Sequence, residues 1–228
     1  IDPGSLPSRE ISDFLASEGT IFDVLKAQAV WSRITLNRGM FPTYGSSTDV
    51  MLQATIPGSD LTYYKTNIRQ KFYRPIGFAN LVFGFTGELG YIDTYGDTKK
   101  TPFFENFYSG GPRSIRGFES NTLGPRVTPS PCYNFNPETE ECPLLIDSDF
   151  DGTPDTIGQN PYLYQQARDP IGGNFLVEGS LQIIFKLPII EDQRSMRSAF
   201  FLDFGNVFST DCQDYQINCY EPSVDELR

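Results

Sequence analysis

The sequence contains no histidine and is poor in basic side chains. Its 228 residues include 29 Asp and Glu against 18 Lys and Arg, which gives a formal net charge of −11. An acidic surface of this kind disfavours nucleic acid as a partner. The absence of histidine excludes His-based acid–base catalysis and His-ligated zinc.

Long apolar runs and nucleophile motifs are also missing. No stretch approaches the roughly 18 consecutive apolar residues of a membrane helix, but a membrane β-barrel hides its apolar face in alternate residues and gives only a weak hydropathy signal. The sequence has no histidine, no Gly-x-Ser-x-Gly elbow and no cysteine outside the two close pairs. We therefore predict that the protein is not an enzyme. The 39% hydrophobic content, with 20 Gly and 17 Pro, suits an all-β protein with many turns.

Alternation of apolar and polar residues predicts six strands. The clearest strand runs from Leu81 to Tyr91, with apolar side chains on one face and small or charged side chains on the other. The full set is about 21–34, 47–56, 61–73, 81–91, 175–187 and 197–208. Alternation alone fits both a soluble sandwich and a barrel in lipid. The third strand places Lys65, Asn67, Arg69 and Lys71 on one face, a stripe suited to a wet lumen or to a solvated sheet face.

The connections alternate between moderate turns and longer loops, as in a meander with short turns on one side. The longest spans about 80 residues, from 92 to 171, and a short amphipathic helix from Ser8 to Leu15, with Ser8 as its cap, is predicted before the first strand. Six strands cannot close around a lumen, because small membrane barrels need about eight. We therefore predict an interior slice of a larger antiparallel barrel.

The four cysteines fall in two close pairs within polar stretches, Cys132 with Cys142 and Cys212 with Cys219. Three connectivities are possible, and pairing within each loop is the simplest. Disulfides would place these loops in an oxidising compartment; the alternative is free surface thiols.

The loop from Phe103 to Pro125 carries a glycine pair and an Arg-Gly-Phe triplet among aromatic residues. With four other sequence blocks in the same order, it resembles the BamA family of outer-membrane assembly proteins. Those blocks are 36–43, 56–65, 169–174 and 201–207. The triplet alone would be a weak signal, whereas five blocks in register are specific.

The resemblance implies a barrel of about 16 strands, of which roughly strands 8 to 13 lie in this chain. Residues 1–228 would form the interior part of a C-terminal barrel domain. Residues 92–171 would be an extracellular loop folding into the lumen, and the POTRA domains and the first and last strands would lie outside the chain. It further implies folding and insertion of β-barrel proteins in the bacterial outer membrane. The implied partners are nascent barrel substrates, outer-membrane lipid, lipopolysaccharide, and assembly lipoproteins reached through the POTRA part.

In that family the loop arginine pairs with carboxylates of the inner wall. Carried over, Arg116 would face Asp203, Gly117 would permit a tight turn, and Phe118 would pack the loop tip. Relatives carry Glu at a second wall position where this chain has Gln182, so we expect Glu178 or Gln182 to take part of that role. The alternative is an exposed loop arginine.

An acidic segment resembles the start of a calcium loop, because a hard cation prefers clustered oxygen ligands. The predicted ligands are Asp147, Asp149, Asp151, the Thr153 carbonyl and Asp155. Gly158 stands where an EF-hand has its bidentate Glu, so the match is to broader Asp-rich loops. The alternatives are a solvated loop tip and a site for ions that bridge lipopolysaccharide phosphates. No cofactor is required by this interpretation.

Two other functions remain open at this point. A related two-partner-secretion pore would share the loop motif and export one protein. A calcium-dependent surface adhesin or binding module would use the acidic loop as its site.

Overall fold

The computed structural model describes residues 8–77, 81–128, 169–186, 198–212 and 219. Within these residues there are one helix, a 3-10 turn at Phe103–Glu105 and six strands. In chain order the elements are α1 Arg9–Glu18, β1 Lys26–Ile34, β2 Gly45–Thr55, β3 Tyr63–Ile76, β4 Leu81–Thr94, β5 Phe175–Phe185 and β6 Ser198–Phe208. All six predicted strands are confirmed, and their ends shift by a few residues.

The strands form a single sheet in chain order, β1 to β6, with every neighbouring pair antiparallel. In the described part of the chain, β1 and β6 are the two free edges, so the sheet is open. The β2–β3 and β4–β5 connections lie at one end, called here the loop end. The β1–β2, β3–β4 and β5–β6 connections lie at the other, the turn end.

The two faces of the sheet differ in chemistry. The inner face carries Glu88 of β4, which the register pairs with Glu178 of β5, and Asp203 of β6, which it pairs with Ser180 of β5. The outer face carries exposed apolar side chains, among them Ile68, Leu89, Leu202 and Phe204. A six-strand sheet whose outer face is mainly apolar and uncovered by the described residues matches a wall that faces lipid.

The long β4–β5 connection folds back over the inner face. Short antiparallel bridges join Phe107 to Gly173 and Ser109 to Leu123, which gives the loop its own backbone order. Phe107 packs directly on Gly90 of β4, where an added Cβ would lie 2.6 Å from the ring. The small residue in β4 therefore creates the space in which the loop sits.

A buried apolar cluster at the loop end joins the helix, the loop and the sheet. Its members are Phe14, Leu61, Tyr63, Ile92, Phe107, Leu176 and Val207. The ring of Phe14 meets Phe103 edge-on at 5.6 Å, so α1 is packed on the loop. No helix in the described residues is long and apolar enough to cross a membrane.

The start of α1 differs from the sequence expectation. The helix extends to Glu18, and the Ser8 side chain makes no capping hydrogen bond. The Ser8 carbonyl accepts from the Ser12 N–H at 2.9 Å, which is the first hydrogen bond of the helix. The Glu10 carboxylate accepts a hydrogen bond from the Thr128 N–H at 2.8 Å, which ties this helical turn to the loop.

Candidate functional site at the inner face

The centre of the site is Arg116, which the loop lowers onto β6. Its Nε donates to Asp203 Oδ2 at 2.7 Å and its Nη2 donates to Asp203 Oδ1 at 2.6 Å, a bidentate contact. The Arg116 backbone N–H donates to the same carboxylate at 3.0 Å. The planar guanidinium fork thus matches one carboxylate, and the loop backbone reinforces the match.

Two further groups complete the surroundings of the guanidinium. Ser180 Oγ of β5 accepts from Arg116 Nη2 at 3.0 Å. The ring of Phe201 lies beneath, with the guanidinium carbon 3.3 Å from its centroid. The Asp203 side chain is only 4% exposed and that of Arg116 is 33% exposed. Hydrogen bonding to Asp203 raises the pKa of Arg116 against the opposing effect of burial, so this loop residue remains a cation.

Glu178 of β5 holds the loop through hydroxyl groups. Its carboxylate accepts from Ser109 Oγ at 2.7 Å and from Ser114 Oγ. Ser114 Oγ also accepts from the Gly110 N–H at 3.2 Å, which fixes the turn before Arg116. Glu178 therefore reaches the loop, although it contacts serines and not the arginine.

Gln182 takes no part in the contact with Arg116 among the described residues. Its Nε2 donates to Ser180 Oγ at 3.3 Å, so it lies one rung further toward the turn end. The register explains the difference, because Asp203 is paired with Ser180 and Gln182 is paired with Phe201. The two carboxylates therefore bind different parts of the loop: Asp203 binds Arg116, and Glu178 binds the serines of the preceding turn.

The other two residues of the Arg-Gly-Phe triplet behave differently. Gly117 has a φ of +95°, a conformation that favours glycine, as the tight turn requires. Phe118, expected to pack the loop tip, is 54% exposed. With more than half of its surface exposed, Phe118 is not buried in the described part of the loop.

A second anchor, which the sequence interpretation missed, is Glu105 in the 3-10 turn. It accepts from Tyr63 Oη at 2.9 Å and forms ion pairs with Lys26 and with Lys65, the latter at 3.4 Å. Burial raises the pKa of Glu105, but these hydrogen bonds and the lysine charges outweigh burial and hold the pKa below its ordinary value. A lone loop glutamate gave no sequence signal, since its partners lie 79 and 40 residues away.

The basic stripe of β3 divides among several partners. Lys65 binds Glu105, and Asn67 and Arg69 donate to Glu88 at 2.7 Å each. Lys71 lines an open cavity of about 580 Å³ beneath the loop tip, together with Arg113. The inner face is therefore a polar, hydrogen-bonded wall in contact with the loop.

The structure describes one of the two predicted cysteine pairs and does not describe the acidic segment. The disulfide between Cys212 and Cys219 is present, seven residues apart in sequence. Cys132 and Cys142, and the acidic segment with Asp147, Asp149, Asp151, Thr153 and Asp155, lie outside the described residues. Among the residues that are described, no group of three or more acidic or cysteine side chains could hold a metal ion.

Comparison with known proteins places this geometry in context. The Omp85 superfamily domain matches residues 5–223. Over 184 residues the chain is 32% identical to the outer membrane protein assembly factor BamA of Neisseria meningitidis serogroup B, covering 80% of this chain and 19% of that protein. It is 29% identical over 92 residues to the SAM50-like protein CG7639 of Drosophila melanogaster, covering 40% of this chain and 20% of that protein.

A solved structure shares the fold. The crystal structure of BamA from Haemophilus ducreyi lacking POTRA domains 1–3 matches with a TM-score of 0.68 and 26% identity. The match covers 90% of this chain and 36% of that one. The chain spans about a fifth of the length of the curated relatives it matches.

Proposed function

The chain belongs to the Omp85 superfamily, and on that basis we propose that it is the interior barrel segment of an assembly factor that folds and inserts β-barrel proteins. The similarity to BamA identifies it as part of a bacterial outer-membrane β-barrel protein. The long loop at one end and the shorter turns at the other then correspond to the extracellular and periplasmic sides.

The observation that supports this function best is the loop held on the inner wall. Arg116 binds β6 through Asp203 and β5 through Ser180, while Glu178 binds the turn before it. The loop thereby connects two adjacent strands from inside the lumen. We assign it the role of a brace that fixes the shape of the wall while other parts of the barrel change partners.

The activity we propose is non-enzymatic. A free strand edge offers unpaired N–H and C=O groups, on which a nascent strand can form backbone hydrogen bonds. In the family this edge lies at the seam between the first and last strands, so this segment would carry the brace and another part of the protein the seam. Assembly lipoproteins would act through the POTRA part.

Depletion of the full-length parent protein in its host tests the proposal. We expect the outer-membrane levels of several unrelated barrel proteins, scored by heat-modifiable gel mobility, to fall together. Normal barrels with one missing secreted protein would instead assign the chain to a dedicated secretion pore.

A calcium role for the acidic segment remains a separate proposal. Its five oxygen donors at Asp147, Asp149, Asp151, Thr153 and Asp155 suit a hard cation. Calorimetry with calcium on the full-length protein tests it. Tight binding linked to recognition of a partner would favour a surface adhesin, whereas no binding would leave the assembly role unchanged.

A further inference from the structure

Two arginines project from the outer, apolar face of the sheet near its turn end. Arg33 is one residue from the end of β1, and Arg74 is two residues from the end of β3. The residues next to them point inward: Ser32 donates to Asp49 at 2.6 Å, and the Tyr73 ring covers Gly84. Since side chains alternate between faces, both arginines point outward.

Neither arginine has a protein partner in the described parts of the chain. Both are exposed, and neither makes a hydrogen bond or ion pair with another residue of those parts. On the outer face Arg74 is flanked by Phe72, Ile76 and Phe83. Arg33 is flanked by Trp31, which is 56% exposed, and by its cross-strand partner Thr48. An isolated guanidinium on an apolar, lipid-facing wall requires a counter-ion or water at that depth.

The depth of Arg74 follows from a row of aromatic rings at the loop end. Tyr64, Tyr91, Phe175 and Phe208 form a continuous chain of ring contacts at 6.1 to 6.2 Å. Tyr64 and Arg74 lie in the same strand about ten residues apart, or roughly 33 Å at the usual rise. With a strand tilt of about 40°, the height is about 25 Å, which equals the apolar band of a membrane barrel.

A second aromatic contact marks the opposite boundary of this band. Phe185 and Phe200 stack at 5.1 Å at the turn end. Arg74 thus lies at the level where lipid headgroups begin, and Arg33 lies one residue before the end of β1. At the loop end the outer face differs, because Asp93 of β4 lies there and accepts from Tyr91 Oη at 3.0 Å. The wall is basic at the turn end and acidic at the loop end.

We propose that Arg33 and Arg74 bind the phosphate groups of anionic phospholipids in the periplasmic leaflet. A guanidinium binds phosphate oxygens with two parallel hydrogen bonds and is less strongly hydrated than an ammonium, so it suits the headgroup boundary. The inference rests on the membrane placement of the proposed function. It does not depend on assembly activity.

The test measures phosphatidylglycerol retention by the purified full-length protein, using native mass spectrometry at increasing lipid concentration. We compare the wild type with R33Q/R74Q and with K71Q/R113Q, which removes two cations that line the cavity on the inner side of the sheet and changes the net charge equally. A headgroup contact of one basic residue is worth roughly fivefold in affinity. We expect at least a fivefold weaker retention in R33Q/R74Q and none of this loss in K71Q/R113Q.

Any other outcome of the retention assay on folded variants overturns the proposal. Unchanged retention in R33Q/R74Q, or an equal loss in both variants, would exclude a specific contact. A selective loss of lipopolysaccharide would place the arginines in the opposite leaflet. If R33Q/R74Q fails to show heat-modifiable mobility, photo-crosslinking of the wild type with a headgroup-labelled phospholipid replaces the retention assay. We expect labelled peptides that contain Arg33 and Arg74. Labelling confined to other peptides would contradict the proposal. The lipid measurements are independent of the proposed assembly function. If depletion of the protein in its host caused no general fall in barrel proteins, the expected lipid retention would stay the same.

Discussion

Asp203 accepts three hydrogen bonds from Arg116, two from the guanidinium and one from the backbone N–H, although the two residues lie 87 positions apart in sequence. The contact joins the tip of the longest connection to the centre of β6. Because the Asp203 side chain is almost fully buried, the carboxylate has little water with which to replace its partner. The pair is therefore the element most sensitive to single substitutions.

Arg116→Ala should release the loop from the wall. The change leaves a buried carboxylate without its main partner, which costs about 2–4 kcal/mol in free energy of unfolding. The measurement is the thermal midpoint of the heat-modifiable gel shift of the full-length protein, together with growth of a host that depends on the variant.

The matched control is Arg113→Ala, three residues earlier in the same loop. The Arg113 side chain makes no hydrogen bond or ion pair with the described residues and should leave the midpoint unchanged. Replacing Asp203 as well, in R116A/D203A, should recover part of the loss, since no unpaired carboxylate remains. Normal stability and normal growth of R116A would refute the brace.

Gly90→Ala should displace the loop from the inner face by a steric clash with Phe107. The added Cβ would lie 2.6 Å from the Phe107 ring, which is only 8% exposed and cannot move without disturbing the apolar cluster. Overpacking of this kind costs about 1–3 kcal/mol. Protease cleavage of the loop should increase, whereas Gly39→Ala, with open space around its Cβ, should behave as wild type. Equal cleavage in both variants would show that the ring accommodates the methyl group.

The sequence predicted the strands well because alternation is local, while the contacts that seat the loop are not. Leu81 to Tyr91 was identified as a strand from its own period, and β4 differs only by extending to Thr94. The expected start of β1 near Ile21 was too early, since Asp23 and Leu25 donate backbone N–H bonds to Asp60 and Ser59 instead of joining the sheet.

In the site, too, some contacts could be predicted from the sequence and others could not. The Arg116–Asp203 pair was expected from the family motif, and the structure brings the two residues together. Glu105 was not identifiable, because its role depends on a turn that carries it to Lys26 and Lys65. The choice between Glu178 and Gln182 depended on register, which the alternation of one strand does not determine.

Peptide mapping under non-reducing conditions tests the cysteine pairing of the full-length protein. We expect one cross-linked peptide pair containing Cys212 and Cys219, as the structure shows, and one containing Cys132 and Cys142. Both follow from loop closure over a short stretch of chain, which is the least costly connection. A peptide joining Cys132 to Cys219 would contradict local pairing, and alkylated cysteines without reduction would show free thiols.

Acidification should weaken the loop anchor at Glu105. Because its pKa in the folded protein lies below the ordinary value of 4.5, its charge stabilises the fold fully above that value, and the stabilisation is lost as the pH falls through the lower folded value. The thermal midpoint of Glu105→Gln should therefore lie below that of the wild type at pH 7, and the difference should shrink below about pH 4.5. Glu119→Gln, at an exposed loop position, should show no such difference. A gap between wild type and Glu105→Gln that stays constant down to pH 3 would mean that the carboxylate charge does not hold the loop.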